Sequence, residues 1–262
     1  MESVWPLIWI TAISGMGGTG LGGVVACLFK KDSDRTVSLL LSFAAGVMTA
    51  VVCFDLLTEA LNTGDRVHLW LVAIFVLVGY ATIALLNGWI EKNTGRDKVN
   101  TDDSAPKKLN NMFLAGVVMA VAIALHNLPE GMVIGVSFAA AKQQVLANRG
   151  GLAIAFVIGL HNIPEGMAIG VPLVTGGMKK WRAIALTSLS GAPTILGALF
   201  GYLIGGISKA ALIISLSFAS GAMLYVVFAE LLPESIEKWR ANRQPALAAV
   251  LGLLAGLIIV YL

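Results

Sequence analysis

Along this 262-residue chain, apolar runs longer than about 18 residues follow one another with only short polar breaks. Nothing constrains the fold more. Hydrocarbon offers no water to a backbone N–H or C=O, so a spanning chain must bond those groups internally, as helices or as a closed barrel. Barrel strands alternate apolar and polar residues, whereas these runs are continuously apolar. The chain is therefore expected to be all-α, a polytopic membrane protein with eight transmembrane helices. The spans are 5–29, 36–60, 67–90, 111–140, 150–175, 182–206, 210–233 and 245–262, in one transmembrane domain. Composition agrees: 57% of residues are hydrophobic and 13% charged, against about 25% charged in soluble domains. The basic residues sit in short loops, so no nucleic-acid partner is expected; the surrounding partner is the lipid bilayer.

Orientation follows from those loops. The loops after spans one, three, five and seven carry fourteen of the eighteen lysines and arginines. Positive loops stay in the cytoplasm, which puts both termini outside and makes the polar 91–110 segment a flexible cytoplasmic loop. The opening MESVWPLIWI lacks a basic n-region, so no cleaved leader is expected. Cys27 and Cys53, the only cysteines, are too far apart in sequence and too apolar in context for a thiolate metal cage.

Two repeats organise the chain. ALHNLPEGMVIGV (124–136) returns as GLHNIPEGMAIGV (159–171), one span and one loop later, so the two lie on adjacent antiparallel helices. SFAAGVMTAVVCFDLLTEA from Ser42 is echoed by SFASGAMLYVVFAELLPES from Ser217, matching Asp55 to Glu230 and Glu59 to Glu234. Four spans separate the second pair, so its members run in opposite directions. That is the pattern of inverted repeats, with a 3+2+3 arrangement and a site between the halves near mid-membrane.

His126 and His161 are two of the chain's three histidines, and both fall in the repeated HNxPEG motif with Glu130 and Glu165. One ionisable group at that depth is commonly a helix-to-helix tie. His, Asn and Glu repeated in order on neighbouring helices point instead to a cation path. At about 100° per residue, Glu130 lies about 40° and Asn127 about 100° from His126, and Glu165 and Asn162 stand likewise to His161. Imidazole with carboxylate suits Zn²⁺, Fe²⁺ and related ions better than Mg²⁺ or Ca²⁺. Each glutamate could bridge two metal positions, one beside the histidines and one beside the asparagines. Pro129 and Pro164 lack the N–H that would bond the carbonyls of Leu125 and Leu160, freeing those oxygens for water or ion. The stretch Gly15–Gly20 matches GxGxxG, but it lies in an apolar span with no preceding strand, so it reads as close helix packing rather than a nucleotide loop.

These residues resemble the ZIP family of divalent metal transporters, in its bacterial short-loop branch, over nearly the whole chain. The resemblance implies uptake of metal into the cytoplasm across the bacterial inner membrane by a homodimer, through an elevator-like or rocking movement. Zn²⁺ is the usual substrate, with Fe²⁺, Mn²⁺, Co²⁺ or Cd²⁺ as others; it implies a transported ion rather than a cofactor, and no enzyme activity. By position, His126, Glu130, His161 and Glu165 would form the primary site, Asn127 and Asn162 an adjacent one, and Met48 a thioether-bearing position that core packing accounts for equally well. The chain departs from its relatives in span six, where SGAPTILG puts Thr194 at the place of a bridging glutamate, and in the 91–110 loop, which has no histidine. Asp55 and Glu59 are candidate entrance groups, and Glu230 and Glu234 candidate exit groups. Two other readings remain: a metal exporter, and an intramembrane metal-dependent hydrolase using a metal-bound water.

Overall fold

The computed structural model describes residues 4–28, 33–62, 68–94, 105–141, 147–204, 209–239 and 242–261. Those residues form eight helical units: α1 (Trp5–Leu28), α2 (Asp34–Asn62), α3 (His68–Thr94), α4 (Ala105–Ala141), α5 (Ala147–Thr175), α6 (Lys180–Ser190 and Pro193–Ile204), α7 (Lys209–Tyr225, continuing to Lys238) and α8 (Gln244–Val260). Seven are long and apolar enough to cross a membrane, and α8 is a shorter apolar helix of 17 residues. At 1.5 Å per residue α8 is about 26 Å long, a little under the hydrocarbon thickness of about 30 Å.

Several ends differ from the sequence-based expectation. Part of the 91–110 segment is helical, because α3 runs on to Thr94 and α4 begins at Ala105; residues 95–104 lie outside the described residues. Pro106 explains the early start, since proline is pre-organised for the first helical turn and has no N–H to lose there. The seventh helix passes Pro233 and ends at Lys238. A π-helical turn at Val226–Leu231 widens the helix just before that proline.

The inverted repeat is visible in the backbone. The Val226–Leu231 turn has its counterpart in α2, a π-helical turn at Val52–Leu56, inside the aligned repeat segments. The first and sixth helices correspond too: α1 carries a π-helical turn at Ile13–Gly17, and α6 breaks at Gly191–Ala192. Side chains keep the correspondence: Thr11 and Thr187 bond back to Leu7 O and Ala183 O, and Ser14 and Ser190 to Thr11 O and Thr187 O. Each hydroxyl satisfies itself within its own helix, as an apolar surround requires.

Glycine sets the pairing of helices. A Cβ on Gly166 would strike Thr19 O, one on Gly22 would strike Ile163 O, and so α5 lies directly on α1. The mirror contact puts Gly131 of α4 against Thr194 O and Gly197 of α6 against Leu128 O. The other pairs are α2 with α8, through Gly46 and Gly252, and α3 with α7, through Gly79 and Gly221. Helices in lipid gain nothing from burying apolar surface against one another, so close backbone approach at small residues replaces that force. The bundle thus consists of α1, α4, α5 and α6 around one centre, packed against α2, α3, α7 and α8 through contacts of α5 with α2 and of α4 with α7. Exposed Trp5 and Trp70 lie in the first turns of α1 and α3, Tyr261 just past α8, Trp89 near the end of α3 and Trp181 in the first turn of α6, so each sits near a helix end, where aromatic residues gather in bilayer-spanning proteins.

Candidate metal site

The two HNxPEG turns face each other where α4 and α5 cross. His126, Asn127, Glu130, His161, Asn162 and Glu165 are all 2% exposed or less. His126 Nε2 is 2.8 Å from Glu130 Oε1, and His161 Nε2 is 2.7 Å from the same oxygen. Glu165 Oε1 is 3.5 Å from His126 Nε2. One ligand atom each from His126, Glu130 and Glu165 fall within 4.8 Å of one another, a grouping able to hold a metal ion. The pseudo-symmetry is broken in detail, because Glu130 serves both imidazoles and Glu165 makes no hydrogen bond.

What remains unbonded is as informative. Nδ1 of both histidines, Oε2 of Glu130, both oxygens of Glu165, Oδ1 of both asparagines and Oγ1 of Thr194 are buried without a hydrogen-bond partner. Buried polar atoms are nearly always satisfied, and leaving many acceptors bare in one small volume is costly. A cation answers that need.

The asparagines commit their amide N–H groups to backbone carbonyls, and their Oδ1 atoms stay buried without a partner. Asn127 Nδ2 donates to Ser190 O at 3.0 Å, and Asn162 Nδ2 donates to Ser14 O at 3.1 Å. Helix geometry explains the split. The narrow His–Glu sector faces the partner motif, while Asn, about 100° round from His, faces α6 from α4 and α1 from α5. Thr194 is fully buried on α6, and a Cβ at Gly15 of α1 would meet its Oγ1 at 2.6 Å. Sequence reasoning missed Ser14–Gly15 and Ser190–Gly191. The signal was there, a Ser-Gly pair at matching places in spans one and six, but too short to align without the helices.

Outlying candidates are spread along α2 and α7. Met48 is buried in the main apolar core, as is its mirror Met223. Asp55 is half-buried in the α2 π-helical turn, within electrostatic reach of His161, Glu130 and His126, while Glu59 is exposed. Glu230 accepts a 2.8 Å hydrogen bond from Asn87, which also donates to the Tyr225 hydroxyl at 2.7 Å. Glu234 pairs with Lys238 at 3.6 Å, and Lys238 also reaches Asp34 at 3.4 Å. Asp55 is thus tied electrostatically to the motif turns.

A helical bundle with membrane-length apolar spans and a buried knot of imidazole, carboxylate and amide defines a multi-pass membrane protein with a cation-attracting interior. Comparison with known proteins narrows the class. The ZIP zinc transporter family pattern matches residues 90–262. The chain is 32% identical to the zinc transporter ZupT of Chlorobium luteolum, across 100% of this chain and 98% of the relative. It is 30% identical to the zinc transporter ZupT of Clostridium perfringens, across 99% and 95%, and 32% identical to the zinc transporter ZIPB of Bordetella bronchiseptica, across 93% and 75%. The chain belongs to the ZIP family of zinc transporters. That family consists of transporters rather than enzymes, which removes the intramembrane hydrolase reading.

Proposed function

We propose that this protein carries a divalent transition metal, Zn²⁺ foremost, across the bacterial inner membrane into the cytoplasm. His126, Glu130, His161 and Glu165 bind the ion in transit. The observation that supports this most is the convergence of two imidazoles and two carboxylates at the α4–α5 crossing, with bare acceptor atoms around them. Two carboxylates balance the charge of one divalent ion, which lowers the cost of bringing it into a low-dielectric interior. Imidazole nitrogen selects transition metals over Mg²⁺ and Ca²⁺. Asp55, half-buried and in electrostatic reach of the motif turns, fits a group that receives the ion from outside. Both termini face outside, and the working unit is a homodimer.

The test is metal flux into liposomes, comparing Zn²⁺, Fe²⁺, Mn²⁺ and Cd²⁺ with Ca²⁺. Zn²⁺ uptake is expected to exceed Ca²⁺ uptake and to disappear in Glu130→Ala and in Glu165→Ala, with both variants still inserted in the membrane. Undiminished uptake in the two variants would falsify the assignment.

A further inference from the structure

We infer that Asn127 and Asn162 act as positioning residues: through their amide N–H groups they clamp the broken turns of α6 and α1 onto the metal-binding turns of α4 and α5. The inference rests on the His/Glu site proposed above and concerns what holds that site in shape.

Three observations meet here. First, the carbonyls that receive the amides lie at helix irregularities. In α6 the Thr194 N–H bonds Gly191 O rather than continuing the ladder, and Pro193 has no N–H to give, so Ser190 O faces sideways. Ser14 O lies in the π-helical turn of α1. Secondly, the two irregular turns touch each other. A Cβ on Gly15 would meet Gly191 O at 2.6 Å, and one on Gly191 would meet Gly15 O at 2.5 Å. Thirdly, the same asparagines sit directly beside His126 and His161 in sequence. A closed circuit results: Glu130 to His161 joins α4 to α5, Asn162 joins α5 to α1, the glycine seam joins α1 to α6, and Asn127 joins α6 to α4. Each asparagine that holds the ring is one residue from an imidazole, so a turn that slips displaces a metal ligand.

The amide's two ends make different demands, and aspartate separates them. Asn→Asp keeps the oxygen, adds negative charge and replaces the donor with an acceptor facing a carbonyl about 3 Å away. If the asparagines served the metal through Oδ1 alone, aspartate would hold it more tightly. A lost outer support typically weakens metal binding by roughly 10- to 100-fold. We therefore expect N127D and N162D to raise the Zn²⁺ dissociation constant by at least about tenfold, and the KM for uptake with it, close to the effect of Asn127→Ala.

The experiment titrates Zn²⁺ into the purified full-length protein and measures uptake in liposomes. It uses these variants with Glu130→Ala as reference, and follows metal-free thermal unfolding alongside. Tighter Zn²⁺ binding in the aspartate variants would overturn the inference in favour of direct ligation. Zn²⁺ affinity within twofold of the unmodified protein, with only a lower unfolding temperature, would overturn it in favour of a helix tie with no bearing on the site. Should N127D not fold, N162D reads the other half of the ring. Zn²⁺ binding by Glu130→Ala equal to that of the unmodified protein would instead refute the His/Glu site itself.

Discussion

At the scale of single residues, charge sets how many ions the site holds. Two divalent ions a few ångströms apart repel strongly in a low-dielectric interior, so a double site needs more negative charge than Glu130 and Glu165 provide. Thr194 offers a neutral hydroxyl at the place where a third carboxylate would help, and its Oγ1 is buried with no partner. Both asparagines offer neutral Oδ1 atoms, which add no negative charge to the balance. One tightly held metal per chain is expected, and Thr194→Glu should raise the number toward two; equilibrium metal counting decides, and two full-occupancy ions in the unmodified chain would contradict the charge argument. Protons compete for the same atoms, since an imidazole binds metal only when its nitrogen is free. Because protons and metal compete for those nitrogens, apparent Zn²⁺ affinity should fall as pH drops from about 7.5 to about 5.5. A flat titration across that window would mean that His126 and His161 are not ligands.

At the scale of elements, glycine contacts decide which helices pair, and they yield a paired prediction. Gly166 admits no side chain, because its Cβ would overlap the backbone of Thr19, whereas a Cβ on Gly88 meets nothing within 4 Å. Gly166→Ala must push α5 off α1 and should lower the unfolding temperature and the yield of folded protein. Gly88→Ala relieves a helix-interior glycine and should be neutral or stabilising by up to about 1 kcal/mol. Thermal unfolding of both in detergent tests the pair, and equal behaviour would show that the α1–α5 approach is not the constraint. Element identity was legible from the sequence because continuous apolar runs leave no alternative to helix. The crossing of α4 and α5 was legible because a repeat 35 residues apart in the chain must lie on adjacent antiparallel spans. Which neighbour each asparagine faces was not, since that depends on α1 and α6 being packed against the motif turns. The entry of α4 at Ala105 was hidden by a polar composition that reads as loop, although Pro106 marked it. Lys238 bridging Asp34 and Glu234 was hidden too, because a contact between α2 and α7 cannot be read from either helix alone.

At the scale of the whole molecule, the inverted repeat and the loop charges make separate statements about topology, and they can be tested against each other. A repeat whose halves run in opposite directions requires α2 and α7 to be antiparallel, and it leaves open which side is the cytoplasm. The excess of lysine and arginine after spans one, three, five and seven supplies that choice, because such loops resist translocation. The exposed aromatic residues near helix ends, Trp5, Trp70, Tyr261, Trp89 and Trp181, fit either choice, since tryptophan anchors both interfaces. Everything therefore turns on the basic loops, and on a chain with Cys27 and Cys53 replaced this can be read by labelling. A cysteine at Glu2 or at Asn148 should react with a membrane-impermeant maleimide added to intact cells. A cysteine at Lys98 should react only after the cells are opened. Labelling of Lys98→Cys in intact cells would invert the assignment, and with it the side on which the proposed uptake route places Asp55.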